Sequence, residues 1–483
     1  MKNILILAGA LLLVSCSGGV PSNTPADCTD VRFDPSVRYS HEVINSCIND
    51  FYTNTKLVGF NVYDNDGNLI RENAGGSNLK FDYVSGLVAK ALIEAADYYQ
   101  DEPEARSWFY SVQDYANRCA SSVPVTGGSL DDLNSTKMYT TIYDLTSPGA
   151  VFETIADTVT NANAMQAMEK AILGLADANR NFVITPEVDP VLAGGWFHKK
   201  SYPNQMWCDG QYMGPALLAQ LKPYGLSITD GNDYEIITRQ FDITWHKLWD
   251  EDKQLLYHAF SADPTGDKAK CWADPETGLS AEYWGRACGW YFLALVDVIE
   301  QMPTDQIYPC QLSTLGDQCV DCRTRLKMYL EALAKGLAAR QDKRTGCWYQ
   351  LLAYDDTFSA DTYKGEKYDV TYNYLESSVS AIFTAAYLKA VRLGLLDAEE
   401  YLPVARKGYE GFVNRFVKHQ LDGRLRLVDD CASAGLGNKT DRDGSAAYYL
   451  LGEDVTRVTN YTEGKVLGAF LLAAIEYERL MAE

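Results

Sequence analysis

Basic residues are scarce in this chain of 483 residues. Lys and Arg number 43 against 65 Asp and Glu, which gives a formal net charge of −22 at pH 7. Because a nucleic-acid backbone requires a basic face, we expect no nucleic-acid partner. An anionic ligand can bind only where local Arg, Lys or His side chains outweigh the overall negative field.

Histidine is rarer still. The chain has 5 His residues, and none of them lies at the helical spacing of a metal-ligand pair. Cys319 and Cys322 form a C-x-x-C motif, but a second ligand pair is missing, so a zinc or redox site is the less favoured interpretation. We therefore expect neither a metal ion nor another cofactor.

Long hydrophobic runs are missing after the first residues. An apolar run spans residues 4–14, too short for a permanent membrane span and typical of a secretory signal peptide. It ends in Leu-Val-Ser-Cys, which resembles a bacterial lipobox and predicts lipidation of Cys16; an ordinary secreted protein cut nearby is the alternative. The predicted organisation is a signal peptide at 1–15, a lipidated tether at 16–38 and a single domain at 39–483. We expect an exported lipoprotein, anchored to a membrane and facing the periplasm or the cell surface.

Export also bears on the cysteines. An oxidising compartment favours disulfides, and a bond between Cys28 and Cys47 could hold the N-terminal arm in place. Cys310, Cys319 and Cys322 cluster in one segment, and disulfide pairing is the preferred interpretation there too. The connectivity and the oligomeric state stay open.

Apolar residues recur at helical spacing along most of the chain. Val84, Val88, Leu92, Ala96 and Tyr99 lie three or four residues apart, which predicts one face of a helix. Similar patterns follow in pairs with long loops between them, and strand-like alternation is weak. The sequence therefore predicts an all-α protein built from helical hairpins. No repeat of fixed period is present, which argues against an open solenoid.

Aromatic residues concentrate in one stretch, Gly194–Gln220, which reads GGWFHKKSYPNQMWCDGQYMGPALLAQ. Aromatic rings stack on the apolar faces of sugars or other flat ligands. A carboxyl group among such rings loses solvation, so we expect a raised pKa for Asp209 and a role as proton donor. The alternative is that Asp209 caps the following helix and that the aromatics are core residues.

This stretch resembles the unsaturated rhamnogalacturonyl hydrolases, glycoside hydrolase family 105, which are related to the unsaturated glucuronyl hydrolases of family 88. Three further segments match in the same order: LYHAFSADP from Leu256, YWGRACGWYFLALVDVIEQMP from Tyr283, and YLESSVSAIFTAAYLKAVRLGLLD from Tyr374. The resemblance implies an (α/α)6 toroid with the active site in a cleft at one end. It also makes 39–483 a catalytic domain.

The resemblance implies a reaction that starts at a C4=C5 double bond. Such enzymes remove Δ4,5-unsaturated uronic acid from the ends of oligosaccharides that polysaccharide lyases produce. Asp209 would protonate C4 and then activate water, and Asp131 would keep Asp209 protonated. A slip of one residue would replace Asp131 by Asp132, and an exposed acidic pair at a helix start is the non-catalytic alternative.

Other matching positions are predicted to bind the substrate. Arg286 would bind the uronate carboxylate through its fork of N–H donors, with an ordinary helix ion pair as the alternative. For the aromatic and Met positions, core packing is the alternative role. The predicted binding residues are Tyr83, His198, Trp207, Met213, His258, Trp284, Arg286 and Trp290.

The chain also departs from the resembling family. Relatives often carry His where this chain has Val84, and residues 309–322 and 353–369 look like local insertions. The expected substrate is an unsaturated galacturonyl-rhamnose disaccharide from rhamnogalacturonan. The alternatives are a glucuronyl hydrolase that acts on other lyase products and a non-catalytic glycan-binding lipoprotein.

Overall fold

A computed structural model describes most of the chain after residue 23. The described residues are 24–48, 60–72, 79, 81–122, 130–147, 149–150, 152, 158–308, 320–437 and 442–482. Cys16, the signal peptide, Cys310 and Cys319 lie outside these ranges, so the predictions made for them stay predictions.

Helices dominate the described part of the chain, as the spacing predicts. They are α1 Tyr39–Cys47, α2 Tyr83–Tyr98, α3 Pro103–Ser122, α4 Leu130–Asn134, α5 Lys137–Thr146, α6 Thr158–Asn181, α7 Cys208–Met213, α8 Pro215–Leu221, α9 Asp233–Leu248, α10 Gly285–Gln301, α11 Cys322–Ala339, α12 Ser377–Arg392, α13 Ala398–Phe416, α14 Ala446–Leu451 and α15 Gly464–Ala482.

Short strands lie in the loops between helices. They are β1 Cys28–Asp30, β2 Val62–Tyr63, β3 Leu69–Arg71, β4 Gln205–Trp207, β5 Trp249–Asp250, β6 Leu255–Leu256, β7 Ala259–Ser261, β8 Ile307–Tyr308, β9 Val320–Asp321, β10 Ser359–Tyr363, β11 Glu366–Tyr372, β12 Val417–Gln420, β13 Leu425–Leu427, β14 Asp430–Cys431 and β15 Arg457–Val458. One sheet has three strands in the order β1-β12-β13, and the other described strands form antiparallel pairs.

The inner helices close into a ring. Neighbouring contacts run from α15 to α2, then through α5, the α7–α8 segment, α10 and α12, and back to α15. Each inner element also packs on an outer helix: α1, α3, α6, α9, α11 and α13 complete the hairpins. The predicted (α/α)6 toroid is therefore confirmed.

Closure of the ring depends on a tight contact between α15 and α2. A Cβ atom at Gly468 would lie 2.6 Å from Leu87 Cγ, so only glycine fits at this crossing without a shift. Both helices are almost fully buried along their facing sides, and they belong to one continuous hydrophobic core. The final helix thus completes the inner wall.

Helix starts are fixed by side-chain caps, and several of them lie at the same end of the ring. Asp82 accepts a hydrogen bond from the backbone N–H of Ser85 at the start of α2. Glu376 accepts hydrogen bonds from the N–H groups of Ser378 and Val379 at the start of α12. Such caps satisfy N–H groups that the first helical turn leaves unpaired.

The structure contradicts two predictions about the N-terminal region. Part of the predicted tether forms a strand, because Cys28–Asp30 pairs with Lys418–Gln420. Cys28 is a free cysteine, so the predicted disulfide with Cys47 is wrong for the described residues. In the described part of the chain, no helix has both the length and the apolar character that a bilayer crossing requires.

Candidate active site

Asp209 is positioned by a strand that leads directly into a helix. Strand β4 ends at Trp207 and α7 begins at Cys208, so Asp209 lies in the first turn of α7. The pairing of β4 with β7 places Trp207 opposite Ala259 and brings the preceding residue, His258, next to α7. His258 Nε2 lies 3.5 Å from Asp209 Oδ2, and both side chains are largely buried.

Asp131 approaches the same region from α4. Its Oδ1 lies 3.9 Å from His198 Nε2, and its Oδ2 accepts a charge-assisted contact from Lys199 Nζ at 2.8 Å. The negative charges of both Asp131 and Asp209 act on the His198 ring. The structure therefore brings Asp131, rather than its neighbour Asp132, onto this histidine.

Trp207 joins the two histidines. Its ring stacks on His198 with centroids 4.5 Å apart and planes at 10°, and Tyr202 continues the stack at 5.6 Å from Trp207. His258 meets Trp207 edge-on at 5.1 Å and packs against Trp284 at 4.9 Å. Four of the predicted binding residues thus form one aromatic wall beside the two carboxylates.

Several buried polar atoms at this wall lack a well-formed hydrogen bond, although two carboxylate oxygens lie 3.5 and 3.9 Å from a histidine nitrogen. Among the described residues, no hydrogen bond reaches Asp131 Oδ1, Asp209 Oδ2, His198 Nδ1, His258 Nε2 or Trp284 Nε1, although all five atoms are buried. Buried polar atoms are almost always paired in folded proteins. Five such atoms around one aromatic wall leave hydrogen bonds that a polar ligand and water can make.

The pKa of Asp209 differs from the sequence-based expectation. Burial raises its pKa, but the contact with His258 outweighs burial, so the pKa lies below its ordinary value. The predicted raised pKa is therefore wrong, since the pairing of β4 with β7 brings in His258 from outside this stretch. Asp209 is a carboxylate at rest.

Three neighbouring groups also have shifted pKa values. Burial lowers the pKa of His198 to about 4, which makes this ring neutral at pH 7. Burial would also lower the pKa of Lys199, but its pairing with Asp131 raises the pKa instead. The pKa of Asp132 is raised to about 6, first by burial and then by the charge of Asp131.

Arg286 lies at the start of α10 with 2% of its surface exposed. Its Nη1 donates to Ser378 Oγ at 3.0 Å and to the Cys431 carbonyl at 2.6 Å, and it lies 3.4 Å from Asp430 Oδ1. The guanidinium also stacks on Trp284 at 4.6 Å. These contacts match the ion-pair role that the sequence left open, and binding of a substrate carboxylate by Arg286 stays a prediction.

The three other predicted binding residues, Tyr83, Met213 and Trp290, are buried to different degrees. Tyr83 is partly exposed at the start of α2, and its ring meets Trp290 edge-on at 6.3 Å. Trp290 and Met213 are each 1% exposed and belong to the core, the alternative that the sequence allowed for them. Direct contact of these two with a sugar stays a prediction.

Two residues near the carboxylates were missed. Lys199 lies inside the aromatic stretch next to His198, but its pairing with Asp131 joins two segments that only the fold brings together. Tyr449 comes from α14, and its hydroxyl lies 2.7 Å from His258 Nδ1. No feature of the local sequence around Tyr449 indicates that contact.

Possible metal ligands lie elsewhere. In the part of the chain that the structure describes, His41, Glu102 and Glu104 are the single group whose ligand atoms lie within 4.8 Å of one another. Arg38 already pairs with Glu102 there. This group belongs to α1 and the start of α3, and it includes neither Asp131 nor Asp209.

Comparison with known proteins supports the architecture. A glycoside hydrolase of family 105 from C. acetobutylicum ATCC 824 superposes with a TM-score of 0.64 and 28% identity, covering 92% of this chain and 100% of that one. Protein Atu3128 of Agrobacterium fabrum is 30% identical over 210 residues, which are 42% of this chain and 76% of that protein. The unsaturated 3S-rhamnoglycuronyl hydrolase of Formosa agariphila is 21% identical over 263 residues, 52% of this chain and 58% of that protein.

The family itself follows from a match over most of the chain. The sequence model described as Glycosyl Hydrolase Family 88 matches residues 64–481, a span that contains Asp131, Asp209 and the whole aromatic wall. With a closed ring of helical hairpins and two carboxylates beside stacked aromatic rings, the chain belongs to Glycosyl Hydrolase Family 88 and is a glycoside hydrolase.

Proposed function

We propose that this enzyme removes a Δ4,5-unsaturated uronic acid from the non-reducing end of oligosaccharides made by polysaccharide lyases. The observation that carries the proposal is the pair of carboxylates, Asp131 and Asp209, each facing a buried histidine of one aromatic wall. The similarity to the Formosa agariphila unsaturated 3S-rhamnoglycuronyl hydrolase supports the same substrate class.

Asp209 acts first as an acid in this proposal. Before the substrate binds, Asp209 is a carboxylate. The substrate brings its own carboxylate close to it, and the two negative charges repel each other in a site that is largely shielded from water. That repulsion raises the pKa of Asp209 on binding, so the group takes up a proton with the substrate. Asp131 adds to the repulsion, while Lys199 holds Asp131 in place.

The reaction balances with one water molecule. The proton of Asp209 bonds to C4 as the electron pair of the C4=C5 bond moves to it, and the ring oxygen stabilises the cation at C5. Asp209 then removes a proton from water, whose oxygen bonds to C5. The resulting hemiketal opens the ring, and the hemiacetal left at C1 expels the next sugar as an alcohol.

Loss of ultraviolet absorbance by the conjugated double bond measures this reaction directly. Asp209→Asn is expected to lower kcat by about 10²- to 10⁴-fold, the usual contribution of a general acid. Asp131→Asn is expected to lower it as well, whereas Asp132→Asn is the matched control and keeps most activity. Near-normal turnover by Asp209→Asn would overturn the proposal.

The finer substrate is proposed as an unsaturated galacturonyl-rhamnose disaccharide. A glucuronyl substrate is the nearest alternative, and a set of lyase-generated disaccharides that differ only in the uronic acid or in the second sugar separates the two by kcat/KM. A glycan-binding protein without activity would bind these disaccharides and leave the absorbance unchanged.

The cellular location is a further part of the proposal. The lipobox-like segment before Cys16 supports export and attachment of the enzyme to a membrane. Fatty-acid labelling of the wild-type chain and of Cys16→Ser tests this, since lipidation requires the cysteine sulfur. Label in the wild type alone supports the anchor, and equal label in both chains refutes it.

A further inference from the structure

Glu376 is a buried acid at the start of α12 and is not one of the predicted site residues. Its side chain is 1% exposed, and it caps the helix by accepting hydrogen bonds from the backbone N–H groups of Ser378 and Val379. Helices favour Ser, Thr, Asp or Asn at this position rather than Glu. The remaining bonds of Glu376 show what a longer carboxylate adds to the cap.

Those remaining bonds go to the two residues that hold Arg286. Ser378 Oγ lies 3.0 Å from both oxygens of Glu376, and the Cys431 N–H donates to Oε1 at 2.8 Å. Ser378 Oγ and the Cys431 carbonyl in turn accept hydrogen bonds from Arg286 Nη1, at 3.0 and 2.6 Å. One carboxylate therefore joins α10, α12 and β14 around a single guanidinium nitrogen.

The other edge of the Arg286 guanidinium makes no such bonds. In the part of the chain that the structure describes, every hydrogen bond of Arg286 leaves from Nη1, and neither Nε nor Nη2 donates to a protein acceptor. A guanidinium binds a carboxylate most strongly through two parallel N–H groups. The Nε and Nη2 edge of Arg286 offers such a pair.

Arg286 lies next to the proposed reaction site. Its guanidinium stacks on Trp284, whose ring packs against His258 beside Asp209. Burial raises the pKa of Tyr83 most, and the charges of Arg286 and Asp209 also act on this group. Trp284 and Tyr83 therefore connect Arg286 to Asp209.

Two further acids near Arg286 are accounted for differently. Asp430 Oδ1 lies 3.4 Å from Arg286 Nη1, but burial and then the charge of Glu376 raise the pKa of Asp430 well above its usual range, which favours the neutral acid. Glu463 has its own cation, because Lys465 Nζ lies 2.6 Å from it. Glu376 is thus the acid that acts on Arg286 through hydrogen bonds to both of its main acceptors.

We propose that Glu376 is a positioning residue for the reaction. By holding Ser378 and Cys431 against Nη1, it directs the free edge of Arg286 toward the carboxylate of the unsaturated uronic acid. Glu376 does not touch the substrate and acts through Arg286 alone. This inference rests on the proposed function, because it takes that uronic acid to lie beside Asp209.

Glu376→Gln keeps the size of the side chain and replaces one acceptor oxygen by an amide group that cannot accept from N–H donors. KM for the unsaturated disaccharide is expected to rise about ten-fold while kcat stays within about three-fold, the pattern of lost substrate binding. Glu478→Gln is the matched control, since Glu478 also accepts from a serine, through Ser40 Oγ at 2.7 Å and Ser40 N–H at 3.2 Å. Its KM should equal that of the wild type.

Two ligands separate positioning from a purely structural role. In an Asp209→Asn background, isothermal titration calorimetry compares the unsaturated disaccharide with its uronate methyl ester, which carries no negative charge. Glu376→Gln should weaken binding of the acid about ten-fold and of the ester less than about two-fold. Equal losses for both ligands, or no loss for either, would show that Glu376 only caps α12.

Ser378→Ala provides a milder second variant. It removes one acceptor of Arg286 Nη1 and leaves the carboxylate of Glu376 in place, so melting curves should show a folded protein. Binding of the acid should weaken about three-fold, with the ester unchanged. If Glu376→Gln does not fold, this variant decides the question, and equal effects on both ligands refute the inference.

Turnover decides separately on the proposed function. If the wild type consumes no unsaturated substrate, the proposed function fails, and the comparison of acid with ester still tests Glu376. A preference for the acid that Glu376→Gln abolishes then supports the positioning role. Failure of the protein to bind either ligand refutes both proposals.

Discussion

Removal of one hydroxyl, by Tyr449→Phe, tests how His258 is held against Asp209. The Tyr449 side chain is fully buried, and its hydrogen bond to His258 Nδ1 is 2.7 Å long. Next to a carboxylate, His258 favours the tautomer with a proton on Nε2, which leaves Nδ1 to accept from the tyrosine. Phenylalanine keeps the ring packing and removes this donor.

The magnitude follows from the burial of the nitrogen left behind. An orphaned buried acceptor costs about 1–3 kcal/mol, and His258 can escape that cost by turning or by moving its proton to Nδ1. Either change weakens the contact with Asp209. If about 1–2 kcal/mol of that cost falls on the transition state, kcat drops roughly 5- to 30-fold, since 1.36 kcal/mol is a factor of ten.

Initial rates from ultraviolet absorbance, measured across pH, provide the assay. A positioning role predicts a lower kcat, a nearly unchanged KM and an alkaline limb of the profile shifted to higher pH, because the contact that lowers the pKa of Asp209 is weakened and the acid stays protonated to higher pH. Tyr448→Phe is the control, since it removes the neighbouring hydroxyl from a ring that packs against Tyr363. A Tyr449→Phe enzyme within two-fold of the wild type at every pH would refute the reasoning.

Three stability predictions complete the set. The folded pKa of His198 lies near 4, below the unfolded value of about 6.5, so folding disfavours its protonated form and the free energy of unfolding falls as the pH drops from 6.5 to 4. Urea unfolding at the two pH values should show a loss of about 3 kcal/mol for the wild type, and His198→Gln should lack this loss. Arg286→Lys keeps the charge but loses the planar fork, and should cost about 2–4 kcal/mol of unfolding free energy in the same assay. A Cβ atom at Gly86 would lie 2.5 Å from Ser135 Cα, so Gly86→Ala should lower the melting temperature. At Gly231 a Cβ atom would meet Thr229 Oγ1 at an ordinary 3.8 Å, so Gly231→Ala should not; equal melting of the two would contradict the packing argument.

Local patterns were sufficient for most helices. The stripe from Val84 to Tyr99 predicts α2 almost to the residue, because its apolar positions and its Asp82 cap are all encoded nearby. Helix α1 was missed, since its 9 residues include polar Ser, His, Glu and Asn positions and give a short pattern. The strand Cys28–Asp30 was missed because its partner lies in β12, almost 400 residues along the chain.

The candidate site likewise has one part that the local sequence predicts and one part that it does not. Asp209, His198 and Trp207 come from one continuous stretch, and their composition identifies the stretch as a site. The protonation state of Asp209 could not be predicted from it, because the deciding neighbour, His258, arrives by pairing of β4 with β7. Periodicity could not predict ring closure either, since the contact of Leu87 with Gly468 joins distant parts of the chain.

That crossing of α15 over α2 also sets an order of assembly. During synthesis the segments that carry Asp131, Asp209 and His258 leave the ribosome long before Gly464–Ala482 is made. Until α15 packs, the sides of α2 and α12 that it covers in the complete ring are exposed to water, and the other five hairpins leave the ring open. Contacts between such remote segments are slow to form, so we expect the packing of α15 to be a late step of folding, before which a partly folded chain exposes apolar surface and is prone to aggregate.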